Sequence, residues 1–224
     1  MKRYVIIVAG GQGLRMGGSM PKQFRLINRR PVLIHTIEAF IKAYPDIGIV
    51  LVLPRNHIEM WKELWRSFDL HVPIQIAEGG ASRFESVSNG LALIPDDEEA
   101  IVGVHDGVRP FVSSDLIHRC YERAECGCAA IPMIPVVDSI RHLQPDGVST
   151  TLNRKEYFFV QTPQTFPLAM LRAAYAQPYD PTFTDDASVV EHMGERIHLV
   201  IGESRNFKLT TPEDLILANA LCKT

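Results

Sequence analysis

With 224 residues, 46% of them hydrophobic, the chain can bury one full core, and two large domains are not the natural expectation, so residues 1–224 are read as a single domain. A formal net charge of −3 excludes a general electrostatic pull toward nucleic acid or anionic membranes, so any polyanion has to be held by locally clustered cations. After Met1-Lys2-Arg3 the first apolar run is shorter than a signal-peptide core or a membrane span, and the four cysteines form no Cys-x-x-Cys pair and no zinc spacing with the histidines, so a cytoplasmic protein with reduced thiols is expected.

The first element is a continuous apolar strand, Tyr4 to Ala9, buried on both faces. It runs into Gly10-Gly11-Gln12-Gly13-Leu14-Arg15-Met16-Gly17 and, a little later, Pro21-Lys22-Gln23. Glycines at the carboxyl end of a strand let backbone N–H groups approach phosphate oxygens, and Arg15 and Lys22 add positive charge, so this reads as a polyphosphate cradle. No Gly-Lys-Ser/Thr closes it as a Walker loop, and Met16 occupies the third glycine position of the dinucleotide fingerprint. A helix follows over Pro31 to Tyr44, with Leu33, Ile37, Phe40, Ile41 and Tyr44 on one side, then a strand over Ile47 to Leu53. That strand ends in Leu53-Pro54-Arg55, without the acidic residue that would hold an adenosine ribose, which disfavours an NAD-binding oxidoreductase.

Asn56 to Phe68 reads as a helix. Glu78-Gly79-Gly80-Ala81-Ser82 is a second glycine turn leading into a helix over Arg83 to Leu93, with Ser86 in its first turns. It can offer backbone groups and a hydroxyl to the edge of a base, although a plain helix start has the same composition. The strand Ala100 to His105 delivers Asp106-Gly107-Val108-Arg109-Pro110 to the carboxyl edge of the sheet, where ligands bind in open parallel sheets. Asp106 there can hydrogen-bond a substrate hydroxyl or order a magnesium ion through water, or it can merely cap a turn. A helix over Ser114 to Glu125 and a strand over Ala129 to Pro135 continue the alternation. Ser139 to Leu143, Pro145-Asp146-Gly147 and Val148 to Leu152 then read as a hairpin, an arm and return spanning 139–160 that leaves the core. Such an arm needs another surface for Ile140, Leu143, Val148 and Leu152. Thr184 before Asp185-Asp186 is expected to cap a helix ending at Gly194, Ile197 to Ile201 is a strand, and Thr211 caps the last helix. Lys208, between that strand and the last helix, is a surface lysine unless a phosphate site lies beside it. The alternation predicts a Rossmann-like α/β fold: a mostly parallel twisted sheet with helices on both faces, plus a protruding β-hairpin arm.

Taken together and in order, these pieces resemble the 2-C-methyl-D-erythritol 4-phosphate cytidylyltransferases. The pieces are the glycine loop with Arg15 and Lys22, the Gly79-Gly80 turn with Arg83 and Ser86, His105-Asp106 with Arg109-Pro110, Pro135 to Ser139, Arg154 with Gln161-Thr162-Pro163-Gln164, Thr184-Asp185-Asp186-Ala187-Ser188, and Asn206-Phe207-Lys208 with Pro212-Glu213-Asp214. The resemblance implies a homodimer with interlocking arms that joins CTP to a polyol phosphate on the route to isoprenoid precursors. It further implies that Ala9, Gly10, Gly11, Gly13, Gly80, Ala81, Ser86 and Asp106 surround the nucleotide, and that Arg15, Lys22 and Lys208 act on the triphosphate and transition state. Asp106, Gly107, Arg109 and Thr184 would line the polyol phosphate site, with Ser139 and Arg154 supplied by the arm of the second subunit. Mg²⁺ or another divalent cation is expected as cofactor, its direct ligands unassigned. The related ribitol 5-phosphate cytidylyltransferases share a Val-Arg-Pro-Phe stretch like Val108 to Phe111 and are the alternative; a non-catalytic nucleotide sensor is the alternative from another class.

Overall fold

The structure, a computed structural model, describes residues 1–10, 20–68, 70, 72–96 and 99–222. Gly11, Gly13 and Arg15, expected in the phosphate cradle, lie outside the described residues. The chain opens with β1 (Lys2–Val8), a small ribbon of β2 (Leu26–Ile27) and β3 (Arg30–Pro31), and α1 (Val32–Ala43). Then come β4 (Gly48–Leu53), α2 (Arg55–Arg66), β5 (Ile74–Glu78), α3 (Arg83–Leu91), β6 (Ala100–Asp106), α4 (Ser114–Glu125) and β7 (Ala129–Pro135). The arm follows as β8 (Arg141–Leu143) and β9 (Ser149–Thr151), and the chain returns through β10 (Phe158–Val160), β11 (Gln164–Pro167), α5 (Leu168–Tyr175), α6 (Asp186–Glu191), β12 (Ile197–Ile201) and α7 (Pro212–Leu221).

The main sheet runs β7-β11-β6-β1-β4-β5, with β10 and β12 also paired to β7. β6-β1-β4-β5 are mutually parallel, as are β7 and β12, whereas β10 and β11 run antiparallel to their neighbours. Alternation along each strand serves two cores. Val5, Ile7, Leu51 and Leu53 face Leu33, Ile37 and Phe40 of α1, Trp61 of α2 and Leu116 of α4. Ile6, Val50 and Val52 face Val87 of α3, Leu171 of α5 and Val190 of α6. Each of these side chains contributes about 1.5–3 kcal/mol when fully buried. Among the described residues no helix is long and apolar enough to cross a membrane.

The hairpin stands apart as its own two-stranded sheet. Its turn is closed by Gly147 N–H on Gln144 O at 3.0 Å and Gln144 N–H on Val148 O at 2.8 Å, with Gly147 at φ +84°. That is the three-residue hairpin loop in which a left-handed glycine completes a type I turn.

One expected helix start is corrected. Thr184 does not cap α6; Asp185 does, its carboxylate accepting Ser188 N–H while Ser188 Oγ accepts Asp185 N–H. Asp185 also receives Gln164 Nε2 at 2.7 Å, a tie to β11 that a threonine one residue earlier does not make. α7 starts as expected, with Thr211 and Asp214 in a capping box and Pro212 in the first turn. Strands β2, β3, β5, β10 and β11 and helix α5 are additions to the expected elements.

Gly103 in β6 shows how closely the second layer packs. A Cβ there would lie 2.4 Å from Tyr121 Oη, and that hydroxyl, on a fully buried ring, donates to Tyr4 O at 2.7 Å. Gly103→Ala is therefore expected to push the ring off its hydrogen bond and cost roughly 1–3 kcal/mol. Denaturant unfolding of the variant beside Tyr121→Phe measures it; stability equal to the parent protein would mean that the ring is free to move.

Candidate active site

β1 continues into β4 on one side, while β6 lies on the other, so the carboxyl ends of β1 and β6 form the place where connections leave in opposite directions. Val8 is in register with Asp106 there. A cavity of about 270 Å³ opens at this point, lined by Val8, Ala9, Gly10, Lys22, Gln23, Gly80 to Arg83, Ser86, Asp106, Val108 and Lys208. The exit of β1 at Ala9 and Gly10, the second glycine turn, the end of β6 and the approach to α7 thus meet around one space.

Asp106 contributes the only carboxylate along this described wall. Its Oδ2 accepts Arg109 Nε at 3.0 Å and lies 3.2 Å from Lys208 Nζ. Burial by itself would raise the Asp106 pKa, but Lys208, Arg109 and Arg83 outweigh it and hold the carboxyl well below the usual range, so Asp106 is ionised at neutral pH. Arg109 also donates to Asn206 O at 2.8 Å, and Asn206, fully buried, donates to Thr162 O at 2.8 Å. Lys208 is half-exposed and is placed by its neighbours: Leu209 N–H bonds Val108 O at 2.9 Å, and Phe207 stacks on Phe111 at 5.7 Å. The lysine thus borders the cavity beside a buried carboxylate, which separates it from an ordinary solvated surface cation.

Behind the carboxylate, Asp106 N–H donates to Thr162 Oγ1 at 3.1 Å, Thr162 Oγ1 is 3.0 Å from His105 Nδ1, and His105 Nε2 is 3.2 Å from Arg109 O. A carbonyl only accepts, so Nε2 carries the imidazole proton and Nδ1 accepts from the threonine hydroxyl. Burial pushes the His105 pKa down to about 4, which keeps the ring neutral at pH 7.

On the opposite wall, Lys22 lies in the short 3₁₀ turn Lys22–Phe24, held by Phe24 packed edge-on to His57 and stacked on Trp61. Gln23, buried in the same turn, donates to Ala9 O at 2.9 Å and so fixes the exit of β1. Its contribution was not legible because its partner is a backbone atom at the far side of the glycine loop. In the second turn, Gly80 N–H bonds Ser86 Oγ at 3.1 Å, Ala81 N–H bonds Glu85 Oε2 at 2.7 Å, and Ser86 Oγ donates to Ser82 O at 2.8 Å. Both amides and the hydroxyl are therefore committed to shaping the turn.

The expected polyol residues are less gathered. Gly107 sits between strands: a Cβ would lie 3.0 Å from Ala9 Cβ and 3.3 Å from Val8 O, and its N–H bonds Val8 O at 2.9 Å. Arg109 stands behind Asp106. Thr184 is exposed just before α6, and Ser139 and Arg154 are exposed at the root of the arm, where Arg154 donates to Val137 O. None of Gly107, Arg109, Ser139, Arg154 and Thr184 borders the cavity in this chain.

A switch-point cavity bordered by Gly10, the glycine turn at Gly80, a buried carboxylate and convergent cations is the arrangement of a nucleotidyltransferase. The chain matches, over residues 4–224, the family model described as IspD, 2-C-methyl-D-erythritol 4-phosphate cytidylyltransferase. A protein of that name from Bacteroides thetaiotaomicron is 52% identical over 99% of this chain and 100% of its own length, and one from Phocaeicola vulgatus is 52% identical with the same coverage. Among solved structures, 4-diphosphocytidyl-2C-methyl-D-erythritol synthase from Anaerococcus prevotii superposes with a TM-score of 0.83 at 29% identity, covering 100% of this chain and 99% of that one. The Thermus thermophilus 2-C-methyl-D-erythritol 4-phosphate cytidylyltransferase gives 0.77 at 32% identity, covering both chains fully. The chain belongs to the 2-C-methyl-D-erythritol 4-phosphate cytidylyltransferase family, and its activity is cytidylyl transfer to that polyol phosphate in isoprenoid precursor biosynthesis.

The His105 relay has a measurable consequence. Its folded-state pKa lies below the ordinary value near 6.5, so its contribution to stability is complete above pH 6.5 and is lost as pH falls toward about 4. Between pH 7 and pH 4.5 the parent protein is expected to lose roughly 2–3 kcal/mol more unfolding free energy than His105→Gln. Equal losses in denaturant titrations of the two would refute the assignment.

Proposed function

We propose that Lys22 and Lys208, with Arg15, carry the chemical step by neutralising the triphosphate, and that the single most telling feature is the Asp106 carboxylate shared by Arg109 and Lys208 at the mouth of the cavity. A phosphate monoester loses its second proton near pH 6, so the polyol phosphate arrives with an ionised oxygen and needs no general base. That oxygen attacks the α-phosphorus of CTP; a new P–O bond forms, the bond from the α-phosphorus to the bridging oxygen breaks, and its electron pair leaves with pyrophosphate. The obstacle is repulsion between two polyanions. Cations held in place before the reaction lower that barrier, because charge builds on the α-phosphoryl oxygens and on the leaving group.

The donor set suits Mg²⁺ carried mainly by the phosphates: among the described residues no cluster of three or more metal-ligating side chains exists, and Asp106 is the one carboxylate of the wall. When bound, the ion would supply positive charge against the triphosphate, and Asp106 is the residue that would hold it, through water. Ala9, Gly10, Gly80 and Ala81 border the same cavity, and the cytosine is placed among them. The polyol phosphate then lies toward Asp106, with Thr184 on its far side.

A homodimer is the proposed working unit. Leu143 and Val148 of the arm, Phe158 and Phe159 of β10, and Leu199 and Ile201 of β12 are all exposed in the single chain, an apolar load that a second copy can cover. In that arrangement Ser139 and Arg154, which do not border their own chain's cavity, reach the partner's. A cytoplasmic setting suits the enzyme's soluble substrates.

The central test is pyrophosphate release with CTP and either 2-C-methyl-D-erythritol 4-phosphate or ribitol 5-phosphate. The first pair is expected to turn over, the second to do so poorly, and removal of divalent cations to abolish both; turnover undiminished by a chelator would contradict the charge-neutralisation mechanism. Lys22→Ala and Lys208→Ala are each expected to lower kcat by about 100-fold or more with the fold intact. Cross-subunit supply has its own readout. Arg154→Ala and Lys22→Ala protomers, each inactive alone, are mixed and allowed to exchange. A mixed dimer then has one site damaged twice and one intact, so activity returns; no recovery after confirmed exchange would place Arg154 elsewhere.

A further inference from the structure

Arg83 borders the cavity at the first residue of α3, directly after the second glycine turn. A guanidinium facing a phosphate site is ordinarily a phosphate ligand. Here both terminal nitrogens are engaged by one carboxylate: Nη1 donates to Asp186 Oδ1 at 2.8 Å and Nη2 to Asp186 Oδ2 at 2.5 Å. Asp186 is fully buried and also accepts the Tyr175 hydroxyl at 2.7 Å. Releasing Arg83 to a phosphate would leave a buried carboxylate without its counter-charge, which is strongly unfavourable. A second link runs alongside. Phe84, next in sequence, stacks on Phe183 at 5.7 Å and on Tyr175 at 4.7 Å. Thr184, placed at the polyol phosphate, thus stands between Phe183, stacked on Phe84, and the Asp185 cap, whose neighbour Asp186 is paired to Arg83.

We propose that the Arg83–Asp186 pair is a positioning strap: it fixes the separation between the nucleotide turn at Gly80 and the polyol segment at Thr184, and Arg83 serves polyol phosphate recognition without contacting the triphosphate. The inference rests on the cytidylyl-transfer reading for which substrate lies on which side. The pinning is two-sided. Gln164 Nε2 holds Asp185 at 2.7 Å and Gln164 Oε1 accepts Ala187 N–H at 2.9 Å from the sheet side, while Arg83 holds Asp186 from the nucleotide side. Thr184 N–H in turn bonds Ser188 Oγ at 3.1 Å inside the same cap. A shift of α3 therefore moves Thr184, and loosening the strap alters the polyol half first.

The test is steady-state kinetics with each substrate varied in turn, on Arg83→Lys, Asp186→Asn, their double variant and Tyr175→Phe, with melting temperatures measured in parallel. Asp186 does not border the cavity, yet Asp186→Asn is expected to raise KM for the polyol phosphate about tenfold while KM for CTP stays within about twofold. Arg83→Lys keeps the charge and loses the two-pronged fork, and is expected to match it; the double variant should be no worse than either single one. Tyr175→Phe, which keeps the ion pair, gives a smaller shift of the same kind and stands in where Asp186→Asn does not fold. Three outcomes would overturn the strap: a raised KM for CTP in Arg83→Lys with Asp186→Asn normal, additive losses in the double variant, or lower melting temperatures with both KM values unchanged in every variant that folds. Lack of turnover in the parent protein would strike at the functional reading, whereas normal parent turnover with an unchanged polyol KM in the variants strikes at the strap alone.

Discussion

A carboxylate buried at the end of a parallel strand has to be met by counter-charges, because its desolvation costs several kcal/mol and its neighbours on the sheet are apolar. Asp106 lies where β6 ends beside β1, in register with Val8, and the cation nearest to it in sequence is Arg109. The second cation, Lys208, comes from near the end of the sequence, on a segment held by the Leu209 amide on Val108 and by Phe207 against Phe111. Ionisation of Asp106, docking of the C-terminal segment against β6 and placement of a lysine at the cavity are thus coupled. Arg109, expected to hold substrate, joins Asp106 to the Asn206 backbone.

The glycines of the site divide by what a side chain would meet. At Gly80 a Cβ would lie 2.3 Å from Glu85 Cβ, and at Gly107 3.0 Å from Ala9 Cβ, so both are small because protein packs against them. At Gly10 the nearest atom among the described residues would be Ser86 Oγ at 3.8 Å. Packing against the described residues therefore does not require a glycine there, whereas the close approach of a ligand to the backbone would. The packing around each of the three separates Gly80 and Gly107, which shape the walls, from Gly10.

The buried strands were legible because both faces of β4 and β6 are covered, which writes an unbroken apolar run into each. β5 was not, since Ile-Gln-Ile-Ala-Glu at the sheet edge is only half covered and its run is broken by polar residues. β10 and β11, three and four residues long, are antiparallel strands too short for periodicity to register. The same logic holds in the site. Asp106 and Lys22 could be found because each follows a local signal, a strand end or a glycine loop. The Gln23 contact to Ala9 O and the Asp186 contact to Arg83 join segments whose proximity only the folded sheet creates. Thr184 was read as a cap for a related reason: threonine and aspartate both suit the position, and the choice was made by Gln164, which holds Asp185 from another strand.

The arm obeys a different constraint from the core. Its two strands have three residues each, and a ribbon of that size is marginal in water without a surface to rest on. Arg141 to Ser149 Oγ at 2.7 Å and the Gly147 turn set its register, but Leu143 and Val148 stay exposed, so internal bonding defines its shape and not its direction. Its root is better fixed, because β10 pairs with β7 and places Arg154 just before that pairing begins. Under the proposed dimer, the surface that orients the arm belongs to the same partner whose cavity Arg154 would complete. Apolar burial of the ribbon and completion of the polyol site then become a single association step, and the load of exposed side chains on one edge of the chain has a functional reason to be there.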